Sequence, residues 1–103
     1  MEPTAVAWKL PRAGWRQSVR PRDPEVGLIH DVSVTGAAIV APADPKLHRG
    51  SVVSVAFGWV EGEVKVKRID PHTDPTLLIY GVEFVRTDSP FARAIHHAFL
   101  QNR

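Results

Sequence analysis

The sequence predicts an all-β fold, an antiparallel barrel or sandwich finished by one C-terminal helix. Three observations point there. Short stretches of alternating apolar residues recur between clusters of proline and glycine, no helical periodicity intervenes between them, and an apolar helical stripe begins only after Ser89. Of the two architectures, a barrel is the one that leaves no strand edge unpaired.

Length and composition set the scale. At 103 residues the chain can build one core and not two, so residues 1–103 are expected as one domain, with a lead over 1–4, a basic proline-rich loop over 11–24 and a C-terminal helix over 89–102. A hydrophobic share of 44% against 23% charged residues excludes a disordered tail as the main product. No apolar run approaches a membrane-spanning length, and the first residues lack a signal pattern, so no membrane insertion is expected and the cytoplasm is the expected compartment. The chain has no cysteine, which rules out a disulfide framework and a thiolate metal site.

Taken in order, Thr4 to Leu10 reads as a first strand, with Val6, Trp8 and Leu10 alternating against Ala5, Ala7 and Lys9, and Pro11 stops it. Pro11 to Pro24 holds three prolines and a glycine and is a loop. From Lys9 to Arg22 the chain carries Lys9, Arg12, Arg16, Arg20 and Arg22 with no acid. Such a patch attracts anions, and arginine adds a flat fork that grips phosphates and stacks on rings. Val26 to Val32 and Ala37 to Ala41 are the second and third strands, and Ser51 to Phe57 the fourth, with Val53, Val55 and Phe57 on one face. Gly58 is a turn or a bulge. Val60 to Ile69 is the clearest strand, because Val60, Val64 and Val66 alternate with Glu61, Glu63, Lys65 and Lys67. Asp70 to Thr76 is a loop, and Leu77 to Val85 is a last strand with Tyr80, Val82 and Phe84 on one face. Ser89 is placed as a helix cap with Pro90 at the first helical position, and Phe91, Ala94, Ile95, Ala98 and Phe99 form one stripe. His96 and His97 fall on its other side.

Between the second and third strands lies His30-Asp31-Val32-Ser33-Val34-Thr35-Gly36. In an extended backbone Asp31 and Ser33 share one face, while Val32 and Val34 leave the other. Asp and Ser bond nearby backbone amides and stabilise turns, and Gly36 is able to take a positive φ, so one reading of the segment is a structural turn. The other is a polar notch in which a carboxylate and a hydroxyl hold the edge of a planar ligand, with its bulk over the glycine.

Asp31, Ser33 and Gly36 match [Asp/Asn]-x-Ser-x-x-Gly, Arg16 and Arg20 satisfy Arg-x-x-x-Arg, and the chain ends Tyr80-Gly81-Val82-Glu83-Phe84-Val85 followed by a short helix. This combination resembles the PilZ domain family over nearly the whole chain, from about Ala5 to Leu100. The resemblance implies a six-stranded bacterial barrel with the helix over one open end, and a domain that binds cyclic di-GMP and signals to a partner protein without catalysis. It implies that Asp31 and Ser33 hold a guanine edge, that Gly36 allows close approach, and that Arg16 and Arg20, with Arg22, neutralise phosphates and stack on bases. Two registers remain. Either Thr4 to Leu10 is the first barrel strand and the arginines sit in the loop after it, or that stretch is an extra segment and Arg16 to Arg20 holds the usual place before the barrel. Strand count favours the first. The family also contains adaptors that act through protein contacts alone, in pilus or motility machinery.

Other chemistries are weaker. His30, Asp31 and Ser33 contain the letters of a triad, but strict alternation turns His30 away from the other two. His72 and Asp74 read as turn residues rather than metal ligands, adjacent His96 and His97 do not face each other on a helix, and no metal site or cofactor is expected. Nucleic acid is an unfavoured partner, because the fifth strand turns alternating acids and lysines outward rather than a basic aromatic platform. Trp8 and Trp59 are placed in the core or on the barrel rim, and Trp15, in the basic loop, on a ligand, a partner or the barrel.

Overall fold

The alternation read from the sequence becomes a closed antiparallel barrel in a computed structural model that describes residues 4–10 and 25–100. Its elements are β1 (Thr4–Trp8), β2 (Glu25–Val32), β3 (Gly36–Pro42), β4 (Val52–Phe57), β5 (Val60–Pro71), β6 (Leu77–Phe84) and α1 (Pro90–Leu100). Around the barrel the order is β1-β2-β3-β6-β5-β4, and the ring closes where Ala7 faces Ala56 and Trp8 faces Val55. Thr4 to Trp8 is therefore a barrel strand, the register that strand count favoured. Trp15, Arg16, Arg20, Arg22 and the rest of the expected basic loop lie outside the described residues, as do residues 101 and 102 of the expected helix.

The interior is built by the alternating sets. Val6, Trp8, Ile29, Ile39, Val53, Val55, Val64, Val66, Tyr80, Val82 and Phe84 are all buried, and the rings of Trp8 and Tyr80 stack at a tilt with centroids 5.2 Å apart. Trp59 is not among them. It is 98% exposed on the turn between β4 and β5, where Gly58 takes a φ of 63°, because a tight turn at the barrel end points its side chain away from any wall. Two strand boundaries differ from the sequence reading by two residues, and several others by one. β1 stops at Trp8 because Lys9 adopts a φ of 59°, and β5 runs on to Pro71.

The chain reverses so that the β2–β3 corner, the β4–β5 turn and the end of β6 gather at one end of the barrel. The helix covers that end. The Ser89 hydroxyl accepts the Ala92 amide at 3.1 Å, capping α1, and Phe91, Ala92 and Ile95 are buried. Phe91 packs where Gly62 leaves room, since a Cβ at Gly62 would overlap the phenylalanine side chain, and its ring meets Phe84 edge-on at 6.1 Å. His96 is turned toward the barrel and not away from it. Its ring stands edge-on to Phe84 at 5.4 Å, and its Nε2 lies 3.1 Å from the Ser33 carbonyl oxygen.

At the opposite end, Lys9 holds two acids from different parts of the chain. Its ammonium lies 3.2 Å from Glu25 and also pairs with Asp44. The Tyr80 hydroxyl accepts the Asp44 amide at 3.2 Å and donates to the Pro42 carbonyl at 3.3 Å. Burial pushes the Tyr80 phenol above its ordinary pKa. Partial burial works to lower the Lys9 pKa, but its bonds to Asp44 and Glu25 outweigh that and raise it. Asp44 is held below the usual carboxylate range by the Lys9 hydrogen bond and then by the Lys46 amide.

Candidate functional site

Strands β2 and β3 meet in a corner that the motif residues build for themselves. The Ser33 amide donates to the Gly36 carbonyl at 2.9 Å, and the Gly36 amide donates back to the Ser33 hydroxyl at 3.2 Å. The hydroxyl's own contact to the Gly36 carbonyl is 3.5 Å, the outer limit of a hydrogen bond, so its proton is weakly committed. The Thr35 carbonyl accepts the Phe84 amide at 2.9 Å and fastens the corner to the end of β6. Asp31 is exposed beside this corner and one of its oxygens accepts the Val32 amide at 3.0 Å.

Gly36 is needed for a different reason from the one its turn setting suggests. The positive-φ glycines among the described residues are Gly50 and Gly58. At Gly36 a Cβ would overlap the Val82 carbonyl oxygen, so the missing side chain is what lets β3 lie against β6.

Asp31 faces outward because the strand is not regular. The pairing of β2 with β3 slips between Ile29 and Asp31, so His30 is an extra residue in a bulge. Strict alternation would turn Asp31 to the same side as buried Ile29. The bulge resets the phase, so Val32 packs on the core while His30 and Asp31 are both exposed. The expectation that His30 faces away from Asp31 is thereby corrected. A triad is no better supported, since the contacts of Asp31 and Ser33 run to the Val32 and Gly36 amides.

A second bulge does the same to β5. Pairing with β6 slips between Val66 and Arg68, Lys67 is the extra residue, and Lys67 and Arg68 are both exposed while Ile69 packs on the core. With both slips in place, Asp31 faces Ala38, Ala38 faces Gly81, and Gly81 faces Arg68, a single row across four strands. The row has charges at its ends and almost no side chain in its middle. It forms the floor of an open pocket on the outer barrel wall, of about 280 Å³, with Asp31, Ser33 and Gly36 on one side and Lys67 and Arg68 on the other. That volume is near the lower end of the range for small-molecule pockets.

A family model described as the PilZ domain matches residues 16–101. The chain belongs to the PilZ domain family. The match starts after β1, which nonetheless completes the barrel. No curated protein and no solved structure matches the chain. Of the PilZ motif positions named from the sequence, Asp31, Ser33 and Gly36 come together on this pocket, whereas Arg16, Arg20 and Arg22 lie outside the described residues. Lys67 and Arg68 were not singled out by sequence reasoning. Arg68 shares the odd-even phase of core residues Val64 and Val66, and only the bulge, which no local residue type announces, moves it to the surface.

The other sequence-flagged groups are structural. Asp74 accepts the Thr76 amide at 2.9 Å and its hydroxyl at 2.7 Å, and its own amide donates to His72 Nδ1 at 2.9 Å, which is turn chemistry. The Thr76 hydroxyl and amide hold the Asp74 carboxyl below its ordinary pKa. Among the described residues, no helix is long and apolar enough to cross a membrane.

Proposed function

We propose that this PilZ domain is a cyclic di-GMP receptor of the bacterial cytoplasm that passes its bound state to a partner protein and has no catalytic activity of its own. The observation that carries the reading is the pocket on the outer wall onto which the Asp31-x-Ser33-x-x-Gly36 corner opens. Asp31 accepts from the N–H groups of a guanine edge, the Ser33 hydroxyl donates to it, and the strip at Gly36, Ala38 and Gly81, bare but for one methyl group, admits the flat ring. Arg16, Arg20 and Arg22 are assigned by their motif and neighbourhood to the phosphates and the exposed base faces. Binding orders groups around the corner, and the His96 contact to Ser33 is the route from corner to helix.

The test is calorimetric titration of cyclic di-GMP into the full chain, beside Asp31→Ala/Ser33→Ala and Arg16→Ala/Arg20→Ala variants, with GTP as control. Micromolar or tighter binding that both double variants lose supports the reading. Absence of binding by the wild-type protein overturns it.

A second reading is favoured by one feature, the fully projecting Trp59 at the barrel end, with Val34 67% and Val85 48% exposed on the same rim. In that reading the domain is an adaptor that ignores nucleotide and grips a protein through this rim. It predicts a Trp59-dependent partner complex that cyclic di-GMP does not alter.

A further inference from the structure

We propose that Arg68 is an anion-contacting residue of the outer-wall pocket, taking a phosphate of the ligand, and that Asp70 is the resident counter-ion which that phosphate displaces. The inference rests on the receptor reading above and adds to it a cationic wall contributed by β5.

Three observations converge on Arg68. The β5 bulge lifts it out of the core phase and sets it beside Lys67, so two cations stand together at the edge of the pocket. Its side chain then lies across Gly81: a Cβ at that glycine would come within 3.3 Å of Arg68 Cβ, 3.6 Å of Nε and 3.8 Å of Cζ. The guanidinium therefore lies over Gly81 of β6 and does not stand away from the wall. Finally, its Nε donates to Asp70 at 2.8 Å, with the arginine side chain 70% and the aspartate 44% exposed.

A residue pair two apart on one strand face is an ordinary surface ion pair, and at this exposure it adds little to stability. Its placement gives it another use. Asp70 occupies Nε, and Nε with its neighbouring amino group forms one of the two forks that arginine offers a phosphate, so phosphate and Asp70 contend for the same edge. Three strand spacings separate the strand of Asp31 from that of Arg68, about 14 Å in all. A purine held by its edge at Asp31 leaves the far part of that floor to whatever the base carries, where Lys67 and Arg68 stand on β5 and Glu83 of β6 is the acid that also lines the pocket. While no ligand is bound, Asp70 screens the guanidinium; a phosphate carrying a full charge and a better fork geometry competes with it.

The pair yields effects of opposite sign, which a structural role would not. In calorimetric titrations of cyclic di-GMP into the full chain, Arg68→Ala should weaken binding about 10-fold, the loss of one charge-assisted contact. Arg68→Lys should recover part of that loss, because it keeps the charge and not the fork. Asp70→Asn should tighten binding several-fold by removing the competitor. All three should leave the urea unfolding midpoint unchanged, since both side chains are exposed. Binding by Arg68→Ala equal to wild type, while Asp31→Ala abolishes it, overturns this inference and leaves the receptor reading standing. Weaker binding by Asp70→Asn also overturns it, for the pair then acts as a unit of structure. A wild-type protein that does not bind overturns both readings together.

Discussion

His96 Nε2 stands 3.1 Å from the Ser33 carbonyl oxygen, so the helix that closes the barrel is bonded directly to the corner carrying the Asp31-x-Ser33-x-x-Gly36 motif. The ring is held for this contact by its edge-on packing against Phe84, whose amide bonds the Thr35 carbonyl of the same corner. Helix, corner and the end of β6 are thus one connected unit. Replacing His96 by alanine removes the bond and the ring contact together and should lower stability by about 1 kcal/mol. Hydrogen exchange at the Gly36 and Phe84 amides should accelerate more than exchange in β4. Equal acceleration across the barrel would show that the contact does not act locally.

Gly36 tests whether the motif glycine is required by the fold. Because a Cβ there would overlap the Val82 carbonyl, Gly36→Ala must push β3 and β6 apart, a backbone displacement that should cost roughly 2 kcal/mol in urea unfolding. Asp31→Ala removes an exposed side chain and should cost less than about 0.5 kcal/mol. A Gly36→Ala variant as stable as the wild type would mean that the strands accommodate the methyl group and that the glycine serves the ligand.

Gly62 and Phe91 make the same kind of contact at the helix. Gly62→Ala overlaps the phenylalanine side chain and should loosen α1, with a loss of roughly 1–3 kcal/mol, read by urea and by exchange of the helix amides. A Gly62→Ala variant as stable as the wild type would show that α1 shifts to accommodate the methyl group without loss of packing.

The Lys9 pairs carry a pH signature. Asp44 has a depressed pKa, so its contribution is complete above the ordinary value of 3.8 and is lost as pH falls through the lower folded-state pKa. Lys9 has a raised pKa, so its contribution is complete below 10.5 and is lost as pH rises through the higher folded-state value. The stability gap between wild type and Lys9→Met should therefore be flat from about pH 5 to 9 and should shrink beyond either end. A gap that changes across neutral pH would assign it to packing or to another titrating group.

Trp59 tests the rim. With its side chain 98% exposed, Trp59→Ser should change stability by less than about 0.5 kcal/mol, whereas Trp8→Ala, fully buried against Tyr80, should cost about 3–5 kcal/mol or prevent folding. A large stability loss from Trp59→Ser would show that the indole packs on the protein and is not presented to a partner.

Much of this was legible in the chain. The six strands, the Ser89 cap and the apolar helix stripe follow from alternation, breakers and capping chemistry, which are local, and the structure places them within a few residues of where those signals put them. Trp8 and Trp59 show where local signals end. Both follow an alternating or turn-like context, yet one is fully buried and the other fully exposed, because burial depends on what lies opposite across the barrel.

The sequence by itself determined the strand alternation, the Asp31-x-Ser33-x-x-Gly36 corner and the family, since each is written in residue type and spacing along a few consecutive positions. Only the tertiary structure decided which residues face that corner across the sheet. The bulges at His30 and Lys67 shift the phase of two strands by one residue, and a one-residue shift exchanges the faces of everything after it. Arg68 reaches the pocket, Val32 and Ile69 reach the core, and the helix reaches Ser33 through His96 because of contacts between distant segments, which no local pattern records.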